Sequence, residues 1–545
     1  MAYFGIDLGT TTTLIAEGQM DARGMYCGRI QLIPQSDWQN NPIKPAPMML
    51  PSVTFFLDDE PLIGVCAKQH AAKADAIGYT DRYVHAVKRL MGRDVPPFVF
   101  SNNEYQPSDI AALYVEYVIK EVIIRGTSDE LHVLTVTVPA SFTTKQRQDT
   151  LRAINTAVHR TGVRLQVHRS SMLISEPLAA LLSYIAHDIE SGVRKINIDS
   201  HPKIVVYDIG GGTLDITLVE LGWKHATEEK TLSNVTFKVI DVNRYTQVGG
   251  EDFDETLARW LHQQLCQQHP VLNDLVLSKQ HRQQLRHKLI DEAEKLKIRF
   301  NDAYGDGETE VQKSIEVTVA DKEYTLEVNL TEQIAKSTFE CFLGNNDDPK
   351  NCITPIKSFF ERTHISPDSI DYFLCVGGMS KFVLLREAIE VYLARPVLFS
   401  MATAELAVAQ GAAIYSMLKG LDNEQITEPA SDAYYVQTVN GFRKIIGRND
   451  AEMCVNTKFE KEGDSQYVDL FIFAGEDCGR GNAGFDVYHT LLYQGGERID
   501  LSRTYPKGTE VIVSIRYEGD DKTPYVTANV DNQEVFNGIL GREMQ

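Results

Sequence analysis

Apolar and polar positions alternate through the first 420 residues with two different periods. Short apolar runs of strand length stand at 3–6 and 14–16, and again at 204–207 and 214–219. A glycine-containing turn separates the members of each pair. Longer stretches with helical spacing lie between and after them, at 109–123, 144–159 (ending at Gly162), 177–187, 253–267, 283–300, 331–342, 381–393 and 405–418. Many begin with Ser, Thr, Asp or Pro, as helix starts do. Runs at 315–319 and 324–328 flank Asp321 and Lys322 as a hairpin. This alternation predicts α/β layers. The texture then changes. Residues 422–433 are polar, contain a proline and read as a linker. Beyond them only short alternating runs occur, at 434–439, 467–473, 487–492, 510–517 and 525–530. Gly, Asn and Asp punctuate these runs, which predicts an antiparallel β-sandwich. The expected organisation is an α/β domain over 1–421, a linker over 422–433 and a β domain over 434–545.

The two turns in the α/β part share a chemistry. The first reads Asp7-Leu8-Gly9-Thr10-Thr11-Thr12; the second reads Asp208-Ile209-Gly210-Gly211-Gly212-Thr213 and is followed by Asp215. Glycine lets backbone N–H groups approach an anion closely. A carboxylate at the mouth of such a turn repels phosphate, so its natural partner is a cation such as Mg²⁺ that bridges the two. One such turn is an ordinary hairpin. Two of them, facing each other from duplicated halves, form a clamp on the phosphates of a nucleotide.

Composition narrows the field. The formal charge of −21 argues against a nucleic-acid partner, because phosphate contacts need clustered Lys and Arg. Eight scattered cysteines without a C-x-x-C pair favour reduced thiols over a disulfide framework or a zinc site. No apolar stretch approaches the ~20 residues that span a bilayer, and the chain begins directly with a strand. The cytoplasm, without membrane association, is the expected location.

The ordered motifs carry a resemblance. They are Gly5-Ile6-Asp7-Leu8-Gly9-Thr10-Thr11, the stretch Val87-Lys88-Arg89-Leu90-Met91-Gly92-Arg93, Thr137-Val138-Pro139-Ala140-Ser141-Phe142, Ser175-Glu176-Pro177, residues 207–215, Gly249-Gly250-Glu251-Asp252-Phe253-Asp254, and Val376-Gly377-Gly378. In this order they resemble the 70-kDa heat-shock chaperone family, part of the actin-like ATPase superfamily. The resemblance implies an actin-like ATPase fold with duplicated ribonuclease-H-like halves, followed by an all-β sandwich. It implies ATP and ADP as ligands, with Mg²⁺ held by Asp7, Asp208 and Asp215, mainly through water. Gly9, Thr10, Thr11, Gly210, Gly211, Gly212 and Thr213 are then phosphate-binding positions. Lys88 and Glu176 become the residues that place the attacking water, with Asp7, Asp208 and Thr213 completing the catalytic set. Gly249, Gly250, Glu294, Lys297, Gly377 and Gly378 match nucleoside-binding positions.

Each residue also has an ordinary reading. Lys88 beside an arginine reads as solvated surface, and Glu176 as an acid favouring a positive helix end. Asp215 reads either as a polar hairpin residue or as a third carboxylate around the metal. Glu294 and Lys297, three apart, share a helix face and suit a surface ion pair. In the β region the resemblance implies a cleft for extended apolar peptide, with Val436, Val439, Phe459, Val468 and Leu470 as pocket residues; a core position is the more common fate of such residues.

Three departures from the family pattern stand out. The sequence ends at Gln545, leaving no residues for the helical lid, so a lidless cleft is expected. The linker Asp422-Asn423-Glu424-Gln425-Ile426-Thr427 lacks the run of apolar residues through which the family transmits nucleotide state. Met172 stands where many members carry an Arg that recruits J-domain co-chaperones, which argues against that recruitment. The expected function is an ATP-dependent chaperone for unfolded or extended peptide, with co-chaperones as further partners. The alternatives are an ATP-binding scaffold of the same family, without a coupled cycle, and a sugar kinase of the superfamily.

Overall fold

A computed structural model of the chain describes residues 2–21, 23–57, 60–74, 82–126, 131–165, 172–224, 230–243, 246–273, 277–320, 322–344, 348–400, 404–420, 426–427, 433–438, 441–447, 455–460, 465–475, 482–483, 492–518, 523–530 and 533–539. Packing divides it into two units. The first comprises Met1–Ser141, Asp149–Val167 and Ile174–Ile426; the second comprises Phe142–Gln148, His168–Leu173 and Thr427–Gln545.

The first unit is built twice on one plan. Strand Ala2–Leu8 pairs antiparallel with Thr12–Met20, which pairs antiparallel with Tyr26–Ile30; on its other side Ala2–Leu8 runs parallel to His132–Val138. Strand Lys203–Ile209 repeats this, antiparallel to Leu214–Trp223 and through it to Val235–Val242, and parallel to Tyr372–Val376. The halves are thus mixed sheets of the actin-like type. The central strands are apolar on both faces because helices cover both. Phe4 and Ile6, like Val205 and Tyr207, are almost fully buried.

Two helices, Glu176–Ser191 and Ala407–Gly420, cross where the halves meet. Both are rich in small residues, and the crossing is close: a Cβ on Gly411 would fall on the carbonyl of Ala179. The second helix also lies directly on the first sheet, where a Cβ on Gly18 would come within 2.6 Å of the Ala413 carbonyl oxygen. Small residues at these points hold the two halves at short range, which fixes how the two turns face each other.

The predicted helices recur with shifted ends. The 109–123 prediction is Pro107–Val118 continuing into a π-helical turn, Ile119–Ile124. The 331–342 prediction is broken into Glu332–Thr338 and Glu340–Leu343. The 315–328 hairpin is longer than expected, Glu310–Val319 with Lys322–Thr331.

In the second unit, a five-stranded and a four-stranded antiparallel sheet form the β-sandwich. Ala433, Tyr435, Phe442 and Phe473 are buried together in its core. Strands Gly441–Ile446, Val455–Glu460 and Gln533–Ile539 add to those expected. The 487–492 prediction lies outside the described residues except for Leu492, which opens the long strand Leu492–Tyr505.

Candidate functional site

Both Asp-Gly turns close hairpins at equivalent places in the two halves. Leu8 pairs with Thr13 at the mouth of the first, and Ile209 with Leu214 at the mouth of the second. The second turn is locked by Gly210 N–H donating to the Thr213 carbonyl at 3.1 Å. The turns are directly opposed. A Cβ on Gly211 would fall on the Thr11 hydroxyl, and one on Gly212 would lie 2.8 Å from Thr10 Cγ2. Only a glycine turn leaves room for the opposing threonines.

The next glycine pair builds a floor beneath the second turn. Gly250 N–H donates to Gly210 O at 3.0 Å and Glu251 N–H to Gly211 O at 2.9 Å. Gly249 is the N-cap of helix Gly250–Gln268 and is packed so closely that its Cβ would stand 2.5 Å from Gly211 C and Gly212 N. Gly377, at φ +83°, closes the far side, where a Cβ would lie 2.5 Å from Ile209 O. Gly378 opens the short 3₁₀ turn Gly378–Lys381 beside Glu405.

Charge converges between the turns. Lys88 lies in the 3₁₀ turn Val87–Leu90, directly after Ala86 at φ 53°, and is 7% exposed. It forms a short ion pair with Glu176, the first residue of its helix. The solvated-surface reading of Lys88 is therefore wrong. Asp7 accepts a hydrogen bond from Thr137 Oγ1 at 3.0 Å, and Asp215 accepts from Ser141 N at 3.1 Å and from Ser141 Oγ. Asp208 and Asp215 sit directly opposite each other in the hairpin register, an unfavourable like-charge pair. Asp7 faces Leu14 instead.

The carboxylates carry the strain of this crowding. Burial, then the charge of Glu176, raises Asp7 to about 7 against the pull of Lys88 and Thr137. Burial and Glu176 raise Asp215 to about 6, although the Ser141 bonds pull it back. Burial, followed by Glu176, Asp215 and Asp7, pushes Asp208 well up. Burial would lower Lys88, but Glu176 and Asp7 outweigh it and raise it. Four acids around one ammonium leave a deficit of positive charge. That donor set fits a divalent cation. Among the described residues no three Asp, Glu, His or Cys groups converge to ligate a metal directly. One such cation would supply the charge that lets phosphate approach the acids.

The nucleoside-matching pair separates. Lys297 Nζ lies 2.7 Å from Asp254 Oδ1 and 3.4 Å from the Gly250 carbonyl, which ties it to the floor of the site rather than to Glu294. Glu294 is half-buried on the same helix. The surface-pair reading of these two residues is accordingly replaced by an inter-helix pair. Thr137, Ser141, Asp252 and Asp254 all belong to motifs visible in the sequence, but only the fold shows which acid or base each one meets.

In the β unit, Val436, Phe459, Val468 and Leu470 lie in strands Ala433–Thr438, Val455–Glu460 and Ser465–Gly475. Val439 lies outside the described residues. Met172 is buried, at 6% exposure.

Comparison with known proteins agrees with this geometry. A family model described as Hsp70 protein matches residues 3–451. The Chaperone protein DnaK of Thermosipho melanesiensis is 29% identical over 483 residues, covering 87% of this chain and 70% of that protein. The Chaperone protein DnaK of Thermotoga neapolitana is 30% identical over 418 residues, covering 76% of this chain and 59% of that protein. Its counterpart in Thermotoga petrophila is also 30% identical, over 416 residues.

Proposed function

Because the chain belongs to the Hsp70 family, we propose that it is an ATP-hydrolysing chaperone whose opposed glycine turns hold the phosphates of ATP. The observation that carries this reading is the Lys88–Glu176 pair placed with Asp7, Asp208 and Asp215 where the two turns meet. The turn 210–213 supplies backbone N–H groups and the Thr213 hydroxyl to the terminal phosphate, while Thr10 and Thr11 serve the phosphates from the other side. Mg²⁺, when bound, neutralises phosphate charge beside Asp7 and Asp208.

Lys88 is then shared between Glu176 and the terminal phosphate. The incoming negative charge competes for the ammonium and frees Glu176 to accept a hydrogen bond from water, orienting its oxygen for in-line attack. The bond from the γ-phosphorus to the bridging oxygen breaks, ADP leaves with that electron pair, and the water proton passes to the phosphate or Glu176. Glu294 and Lys297 are assigned to the nucleoside with Gly377 and Gly378. The β-sandwich is assigned to extended apolar peptide, with Val436, Val439, Phe459, Val468 and Leu470 as its pocket residues. A nucleotide domain over 1–421, a linker over 422–433 and a peptide domain over 434–545 fit this division of labour.

The test is peptide affinity of the purified chain in Mg-ATP and in Mg-ADP. A coupled chaperone binds an extended apolar peptide at least several-fold more weakly in ATP. Equal affinities would favour the ATP-binding scaffold, as the polar linker suggests.

A further inference from the structure

Arg89 stands next to Lys88 but faces a different way. Its Nη2 lies 3.4 Å from Glu251 Oε2 and 3.4 Å from Asp252 Oδ2, both at the start of helix Gly250–Gln268 in the opposite half. The guanidinium runs along the second glycine turn: a Cβ on Gly212 would lie 2.5 Å from Arg89 Nε and 2.9 Å from Nη2. Nε itself is buried and has no hydrogen-bond partner among the described residues.

The two carboxylates at Nη2 have further partners. Asp252 is shared among Arg89, Lys350 Nζ at 2.6 Å and Gly249 N at 3.0 Å, and Glu251 accepts from Thr11 Oγ1 at 3.2 Å. Both carboxylates meet Nη2, and the adjacent Nε–H meets no acceptor among the described residues. A buried guanidinium N–H without an acceptor is uncommon, because leaving it unmade is costly. Planar donors beside a glycine turn suit a phosphate oxygen above all.

We propose that Arg89 is a phosphate-binding residue that donates Nε–H to an oxygen of the phosphate held by the turn 210–213, while Glu251 and Asp252 fix its orientation. The ligand thereby completes the bridge between the halves, since Arg89 belongs to one and Gly212 to the other. This inference rests on the ATP reading of the site and adds a third cationic or polar contact that the Lys88 chemistry does not include.

The test is equilibrium binding of ATP, ADP and adenosine, each with Mg²⁺, to the full chain and to Arg89→Ala, Arg89→Lys and Glu251→Gln, with thermal unfolding run alongside. Arg89→Ala is expected to weaken ATP and ADP by on the order of 10- to 100-fold and to leave adenosine unchanged. Arg89→Lys, which keeps the charge but cannot reproduce the planar donor, should recover only part of that loss. Glu251→Gln should weaken both nucleotides less than Arg89→Ala does. Equal loss for adenosine, full recovery in Arg89→Lys, or unchanged ATP affinity in Arg89→Ala would overturn the assignment. If Arg89→Ala fails to fold, the Arg89→Lys result decides. A wild-type chain that binds none of the three ligands overturns the ATP reading and this inference together; wild-type binding with unaffected variants overturns this inference alone.

Discussion

Substituting the adjacent glycines 249 and 250 separately should give opposite results. Gly249 is extended, at φ −173° and ψ −169°, a conformation open to any residue, so backbone strain is not the issue. Space is. Its Cβ would stand 2.5 Å from Gly211 C and Gly212 N and 2.6 Å from Gly211 O, all of them backbone atoms that no rotamer change can move aside. Restoring ordinary contact at ~3.4 Å requires the second turn to move by roughly 0.9 Å. A displacement of ~1 Å in a phosphate cradle costs on the order of 100-fold in turnover. At Gly250 the nearest atom is the end of the Lys297 side chain at 3.5 Å, which is ordinary contact. Gly250→Ala lies in the first turn of a helix and should be neutral or stabilise slightly. Single-turnover ATP hydrolysis, with titration calorimetry for Mg-ATP affinity, reads both variants. Wild-type affinity and turnover in Gly249→Ala, or greater damage in Gly250→Ala, would refute this steric assignment.

Further predictions concern the charges and the helix crossing. Lys88→Ala should keep Mg-ATP binding within about 10-fold yet lose most single-turnover hydrolysis; an undiminished rate removes Lys88 from the mechanism. Asp215→Asn should stabilise the nucleotide-free protein at pH 8. The native carboxyl is raised from 3.8 to about 6 by burial and Glu176. A raised carboxyl favours folding in its protonated form and disfavours it once ionised, so relief by Asn is full above about pH 6 and fades as pH falls toward 4. The raised value sets an upper bound of ~3 kcal/mol at pH 8. Chemical denaturation across that range measures it, and a stability gain that grows on acidification would contradict the sign. Gly411→Ala should destabilise by about 1–3 kcal/mol, because the new methyl meets the Ala179 backbone at the crossing of two buried helices; an unchanged melting temperature would show that the helices separate freely.

Local pattern made the hairpins legible because both the apolar runs and the glycines that end them are contiguous in sequence. Strands expected at 3–6 and 204–207 are Ala2–Leu8 and Lys203–Ile209, longer by one residue at the start and two at the end. The acidic residue of each turn could be read for the same reason. The partners of those acids could not. Thr137 meets Asp7 only because His132–Val138 runs parallel to the first strand, and Ser141 meets Asp215 from 74 residues away. Lys297 pairs with Asp254 rather than Glu294 because helix Gly250–Gln268 packs against its own helix, a fact that i, i+3 spacing does not contain. The ordinary readings of single residues misled where burial decided the matter. Lys88 looks like surface beside Arg89, yet the fold buries it against Glu176. In the β part, strand Gln533–Ile539 lacks clean alternation and is not legible as a strand.

The central claim is that the two opposed turns grip phosphate with the help of a cation. It is tested most directly by titration calorimetry of the wild-type chain with ATP and with adenosine, each in Mg²⁺ and in EDTA. The account predicts ATP binding at least ~100-fold tighter than adenosine in Mg²⁺, with most of that advantage lost in EDTA and adenosine indifferent to the metal. Equal affinities for ATP and adenosine, or an ATP affinity that ignores Mg²⁺, would contradict it.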